Sequence, residues 1–322
     1  MRRARRVGQT GSQTIVIVDC HTHVWESPEQ LGRAHPASQH VKPQTAAMEP
    51  GDDAVPDASP DHHTRAAAPV NKSFVLAFKS RYLGAEIPVS FVAGYVRQHQ
   101  DRLIGVAGID PTNLNEALAD MRRAHEQLGF KAITISPAAQ DFHPADSRAM
   151  QVFAEAARLK MPAFVHQGFN LCTASKMEFG RPALLDEVAR EFPQLKIVIA
   201  HMGYPWIEEC IVLLGKHENV FADVSGLSRR PWQAYNALLS AYQYGVMDRL
   251  LFGSDFPFTS PTAAIESLYR LNQLATGTNL PTVPRPYLAG IVERDALALL
   301  GIEDVPAGVS RNDTGLLDGN EA

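Results

Sequence analysis

Ile15-Val16-Ile17-Val18-Asp19-Cys20-His21-Thr22-His23 is a short apolar run that ends in two histidines one residue apart. In an extended strand alternate side chains share a face, so His21 and His23 emerge side by side and can converge on one cation. The same alternation turns Cys20 away from Asp19 and His21, as a small packing residue. The grammar of an apolar run ending in a liganding residue recurs in Ala163-Phe164-Val165-His166-Gln167-Gly168, in Lys196-Ile197-Val198-Ile199-Ala200-His201-Met202-Gly203 and in Arg249-Leu250-Leu251-Phe252-Gly253-Ser254-Asp255-Phe256-Pro257. In a parallel α/β barrel the C-terminal ends of all strands meet on one rim, where residues distant in sequence become neighbours.

Outward from these motifs, apolar runs alternate with helical periods in the manner of βαβ units. Strands are expected at 73–78, 103–109, 131–136, 219–223 and 250–253, besides the three that carry His21, His166 and His201. Helices are expected at 88–98, 114–128, 147–159 and 182–193, with a closing helix at 288–300. The predicted fold class is therefore α/β, a single (β/α)8 TIM barrel over residues 14–304 with a long loop insertion after the first strand. That insertion, 26–71, is rich in proline and reads as a loop with at most one short turn, placed to act as a lid. His62 and His63 within it read as solvated. Residues 1–13 read as a disordered basic tail and 305–322 as a frayed one.

A chain of 322 residues accommodates one such barrel and not two. A formal net charge of −5 gives no electrostatic reason to expect nucleic acid, and no apolar run is long enough to span a membrane. Cys20, Cys172 and Cys210 are few, scattered and odd in number, which argues against a disulfide framework and fits a reducing cytoplasm.

The four motifs resemble those of the amidohydrolase superfamily, within it the amidohydrolase-2 group that includes aminocarboxymuconate-semialdehyde decarboxylase. The resemblance runs from about residue 15 to 300, and 182–193 is similar to the helix linking that group's fifth and sixth strands. It implies that His21, His23, His166 and Asp255 are metal ligands, that His201 is the catalytic histidine, with a fourth imidazole ligand as its alternative role, and that the protein is a dimer. Three imidazoles and a carboxylate suit zinc and also accept manganese or iron. Two-metal members need a bridging lysine or glutamate at the end of the fourth strand, where this chain has Ile133-Thr134-Ile135-Ser136-Pro137 and places Lys131 at the wrong end. One metal is the expectation.

Such a cation activates water for hydrolysis, or holds an oxygen substituent beside a scissile carboxylate, with Asp255 or His201 moving the proton. The expected activity is decarboxylation of a small aromatic or unsaturated carboxylic acid. Hydrolysis of a lactone, amide or ester-type carbonyl is the alternative, and a non-catalytic metal-binding barrel is the contrasting class. A first-strand Glu-x-His would resemble hydroxybenzoate decarboxylases, and Asp19-Cys20-His21-Thr22-His23 departs from it toward the muconate-semialdehyde type. Candidates to meet a substrate carboxylate are Lys79, Arg81, Arg181, Arg229 and Arg230. Phe256, with Trp25, Phe169 and Phe258, is a candidate pocket wall. Asp223 and Asp110, at strand ends, are further polar candidates or helix caps.

Overall fold

Strands covered on both faces are buried throughout and mostly apolar, and the barrel strands of this chain follow that rule: in β1 (Val18–Thr22), β6 (Ala132–Ile135), β7 (Ala163–Val165), β8 (Ile197–Ile199), β9 (Val220–Asp223) and β10 (Leu250–Leu251) every residue is buried, and most of the polar ones lie in β1 and at the end of β9. β2 (Lys72–Leu76) and β5 (Leu103–Gly108) complete the set, and β3 (Phe78–Ser80) with β4 (Ala85–Ile87) forms a separate antiparallel hairpin. The computed structural model describes residues 16–34, 55–168 and 172–303. In it the eight strands run parallel in the order β1-β2-β5-β6-β7-β8-β9-β10, with helices between them. This is the expected (β/α)8 TIM barrel. The helices are amphipathic for the reason the sequence gives: in Ser147–Arg158, Ala149, Val152, Phe153 and Ala156 recur on one buried face, and the Asp146 carboxylate caps the start by accepting from the Arg148 amide.

The ring closes between β1 and the chain just beyond β10. Cys20 N donates to Phe252 O at 2.9 Å, His23 N to Phe256 O at 2.8 Å and Asp255 N to His21 O at 3.0 Å. The Asp19 carboxylate adds a side-chain stitch across this seam, accepting from Ser254 N at 2.9 Å and from His21 N at 3.2 Å.

One irregularity decides what faces the interior. Along β1 and β2, Asp19 is opposite Ser73 but Thr22 is opposite Val75, so β1 holds one extra residue there. Val18 and Cys20 pack inside the barrel with Phe74, Leu76, Val106, Phe164, Val198, Phe221 and Leu251. Strict alternation would then send His21 outward, and the bulge brings it back in. Cys20 is thus a packing residue as expected, but it does not face away from His21. The far end of the interior is plugged by Ala296, Leu297 and Leu300. The closing helix predicted at 288–300 is in fact two, Arg285–Val292 and Ala296–Leu300, because Asp295 starts the second by accepting from the Ala298 amide.

The insertion after β1 is more ordered than its prolines imply. Pro28–Ala34 forms 3₁₀ turns and Pro60–Ala66 an α-helix. Pro60 stands at the start of that helix, where its missing amide costs nothing, and the Ser59 hydroxyl accepts from His62 N. His63 is fully buried rather than solvated, 2.7 Å from the Tyr95 hydroxyl and edge-on to Phe256. The middle of the insertion, 35–54, both expected tails and Phe169 lie outside the described residues. Among the described residues no helix is long and apolar enough to cross a membrane.

Phe164 is the centre of the interior layer, 1% exposed and with its ring 5.2 Å from that of Phe74. Phe164→Ala should lower the unfolding free energy by about 3–5 kcal/mol in denaturant titration. Val212→Ala, on the exposed face of Ile207–Lys216, should change it by no more than about 0.5 kcal/mol.

Candidate metal centre

Five strand ends deliver the polar residues of the rim. Asp223 and Gly253 lie two residues beyond the interior positions Phe221 and Leu251, so they continue the same inward face. His21 reaches that face through the bulge, and only a glycine fits opposite it: a methyl on Gly253 would sit 3.0 Å from the Cβ atoms of both His21 and Ser225. His166 follows β7, His201 follows β8, and Asp255 lies four residues past β10. His201 and Asp255 both have left-handed backbones, with φ of 54° and 65°. Strain of this kind, about 1–3 kcal/mol per residue, collects where side chains must be aimed.

The hydrogen bonds fix which nitrogen of each ring points at the site. His21 Nδ1 lies 3.0 Å from Asp223 Oδ2, His23 Nδ1 3.1 Å from the Leu76 carbonyl and His201 Nδ1 3.0 Å from the Ser225 carbonyl. Carboxylate and carbonyl oxygens only accept, so each Nδ1 carries a proton and, in the neutral ring, each Nε2 is left as a bare lone pair. Two of these lone pairs, on His21 and His23, face one another at 3.1 Å. Apposed lone pairs repel unless a cation or a proton lies between them, and 3.1 Å suits two nitrogens each about 2.0–2.1 Å from one ion. His21, His23 and Asp255 bring their ligand atoms within 4.8 Å of one another, and so do His21, His201 and Asp223. The donor set therefore fits a divalent metal. His166 joins through ring packing, edge-on to His201 with centroids 4.9 Å apart, and is in neither tight group.

Burial opposes charge at every one of these groups, and the neighbours decide the outcome. Burial lowers the pKa of His21, but the hydrogen-bonded Asp223 carboxylate overrides it and the net shift is upward. Asp223 is pushed up by burial and, more strongly, down by His21 and His201. Asp255 is likewise drawn below the usual carboxylate range by His201 and Arg229 in spite of its burial.

Of the five cationic candidates, the structure brings one to this cluster through a direct contact. Arg229 donates from Nη2 to Asp255 Oδ2 at 2.7 Å, with its guanidinium 5.1 Å from the centre of the Phe258 ring. Arg230 turns to the Gly226 carbonyl and the Tyr204 ring. Lys79 is clamped by Glu116 at 2.6 Å and Asp120 at 2.7 Å, Arg81 pairs with Glu116 at 2.8 Å, and Arg181 pairs with Glu209 at 3.0 Å. Phe256 is 1% exposed and held edge-on between the rings of His62 and His63, so it packs the inserted helix instead of lining the site; Trp25 and Phe258 face each other at 6.2 Å. Asp110 caps a turn, accepting from Thr112 N at 3.0 Å and Arg81 N at 2.8 Å, while Asn113 caps the following helix. Asp223 does far more than cap. Its place at the end of Val220-Phe221-Ala222, another apolar run ending in an acid, was the available signal. Ser225, which holds the His201 ring, carried no signal of its own.

Burial, with His21 next, takes His23 down to about 4; burial, with His201 next, takes His166 to about 3; and burial takes His63 to about 4. Unfolded imidazoles titrate near about 6.5, so each of these contributes stability that is complete above that value and is lost as the pH falls toward the folded one. Asp19 acts in the opposite sense: burial raises it to about 6, so its contribution is present below about 4 and is lost as the pH rises through about 6. Three imidazoles outweigh one carboxylate. In calorimetry with chelator present, the melting midpoint should fall as the pH is lowered from about 6.5 to about 4, and a midpoint that stays level over that window would contradict the buried neutral histidines.

The amidohydrolase family model, in its amidohydrolase-2 form, matches residues 18–301. No curated protein matches the chain. Among solved structures, an uncharacterised TIM-barrel protein from Bordetella bronchiseptica superposes with a TM-score of 0.64 at 19% identity, over 88% of this chain and 99% of that one. A dihydroxybenzoic acid decarboxylase from Polaromonas, holding manganese and the inhibitor 2-nitroresorcinol, gives a TM-score of 0.60 at 14% identity, over 89% and 97% of the two chains. A 2-pyrone-4,6-dicarboxylic acid hydrolase candidate from Acinetobacter baumannii with citric acid bound gives 0.58 at 16% identity, over 89% and 99%. These likenesses establish the fold, and the family model, spanning the strands and every histidine of the rim, establishes the lineage: the chain belongs to the amidohydrolase family.

Proposed function

We propose that the protein is a mononuclear carboxy-lyase that decarboxylates a small aromatic or unsaturated carboxylic acid. Membership of the amidohydrolase family makes it a metal-dependent carboxy-lyase or hydrolase. The observation that carries the reading is the pair of bare Nε2 lone pairs on His21 and His23 beside Asp255, with Arg229 as the cation reaching that carboxylate. His21, His23, His166 and Asp255 would hold the ion. When bound, it supplies Lewis-acid polarisation of a substrate oxygen. Zinc is favoured by the imidazole-rich set, and the manganese of the Polaromonas decarboxylase makes manganese the alternative.

The chain's own residues then divide the work. Asp255 is kept ionised, and its Oδ2 is engaged by Arg229, so it is the poorer proton carrier of the two candidates. His201 presents a bare Nε2 on a ring anchored through Nδ1, so it takes up a proton there from solvent and delivers it to the substrate. In decarboxylation the electron pair of the breaking carbon–carbon bond takes that proton at carbon as carbon dioxide departs. Arg229 orients the carboxylate: its guanidinium lies against Phe258, and its buried Nε has no hydrogen-bond partner among the described residues, leaving a donor for a substrate oxygen. The 2-pyrone-4,6-dicarboxylic acid hydrolase candidate of the same fold supports a second reading, in which the same residues serve attack by water on a carbonyl.

Metal analysis of the purified protein should give one equivalent of zinc or manganese per chain, and His166→Ala and Asp255→Ala should each lose most of it; full retention in both variants would refute the ligand assignment. In a screen of aromatic and unsaturated carboxylates that follows carbon dioxide and acid release in parallel, carbon dioxide is the expected product, and acid without carbon dioxide would make the protein a hydrolase. With any carboxylate that turns over, Arg229→Gln should raise KM about 10-fold or more, by roughly the 1.5–3 kcal/mol of a charged hydrogen bond.

A further inference from the structure

Asp223 is fully buried at the end of β9, and both of its oxygens are in use. Oδ2 accepts from His21 Nδ1 at 3.0 Å. Oδ1 accepts from the backbone amides of His201 at 3.0 Å and Ser225 at 3.1 Å, and from the Ser225 hydroxyl. The oxygen of that hydroxyl lies 2.7 Å from His201 Nδ1, so it accepts a hydrogen bond from the ring while donating its own to the carboxylate. One carboxylate therefore bonds the imidazole on the metal side directly and reaches the imidazole on the proton side through its backbone amide and the Ser225 hydroxyl.

We propose that Asp223 is a positioning residue that couples these two imidazoles; the proposal rests on the reading that a metal sits against His21 and His23. Through Oδ2 it holds the His21 proton on Nδ1 and so aims a lone pair from Nε2. Through Oδ1 it pins the left-handed backbone of His201 and, by way of Ser225, the orientation of its ring. Only a group with no proton of its own can do all of this, because four hydrogens already point at its two oxygens: those of His21 Nδ1, the His201 and Ser225 amides and the Ser225 hydroxyl. The space around the network is equally constrained. Gly226, with φ of 69°, lies so close that a methyl there would be 3.1 Å from His201 Nδ1 and 3.4 Å from Asp255 Oδ2.

Asp223→Asn isolates the His21 arm. The amide oxygen can still serve the three donors on His201 and Ser225, which turns the NH2 group toward His21. His21 must then accept at Nδ1 and carry its proton on Nε2, facing His23, where it can no longer ligate. In the metal-free variant, long-range proton–nitrogen correlation should show His21 protonated on Nε2, and competition with a chelating dye should show zinc and manganese bound about 10–100-fold more weakly than by the wild type. A variant with His21 still protonated on Nδ1 and wild-type metal affinity would overturn the proposal. Should the variant fail to fold, the zinc-loaded wild type decides: a His21 proton on Nδ1, shifted far downfield by the carboxylate, is expected, and a His21 bound through Nδ1 overturns the coupling.

Ser225→Ala tests the other arm. The His201 Nδ1 proton should exchange faster with solvent and move upfield while zinc affinity stays within about 2-fold of wild type; an unmoved His201 signal would remove Ser225 from the network. Wild-type protein that takes up neither metal would count against the metal reading itself, and the tautomer of His21 in the metal-free Asp223→Asn protein would still decide the coupling.

Discussion

Three imidazoles anchored through Nδ1 on oxygens that can only accept are the constraint from which the site follows. Asp223 holds His21, the Leu76 carbonyl holds His23 and the Ser225 carbonyl holds His201. Two of these anchors belong to β9 and the residues just beyond it and the third ends β2, so the orientation of the rings is inherited from other strands of the barrel than those that carry the histidines. That arrangement leaves basic lone pairs crowded into a small buried volume, a state that a protein maintains only where a cation or a proton is to be received. The low pKa of His23 and the raised pKa of His21 are two expressions of the same crowding: a proton admitted to the pair resides on the ring that Asp223 supports.

The barrel and its rim were legible because they are written in the two simplest signals, apolar runs of strand length and the residue that ends each run. The strands carrying His21, His166 and His201, and the one before Asp255, lie where their sequences place them. What was hidden depends on events with no period. The extra residue in β1 is set by the fit of one strand against the next, and without it the interior positions of Val18 and Cys20 would be incompatible with an inward His21. Pro60 reads as a breaker in a proline-rich stretch, yet at the first turn of a helix it is harmless. The ordered end of the insertion then covers Phe256, which takes that residue out of the candidate pocket.

Charged residues on the rim were the least legible, since a lysine or arginine gives no sign in sequence of the carboxylate it will meet. Lys79 and Arg81 are neutralised by acids of the helix Leu114–Glu126, and Arg181 by Glu209. Such partners hold the helices in place around the barrel, a structural use of charge worth little per pair at an exposed surface. Arg229 differs because its partner is Asp255, so its charge is delivered to the polar centre of the rim and not to its outer edge.

The seam of the barrel has a further meaning. β10 is only two residues long, and the join to β1 rests on three backbone hydrogen bonds and the Asp19 side chain. His21 and His23 stand on one side of that join and Asp255 on the other. Whatever these three residues grip together is therefore also a clasp, fastening the beginning of the chain to a point more than 230 residues later. Such a long loop is costly in entropy to close, so anything bound between these residues stabilises the closed ring by its own binding free energy.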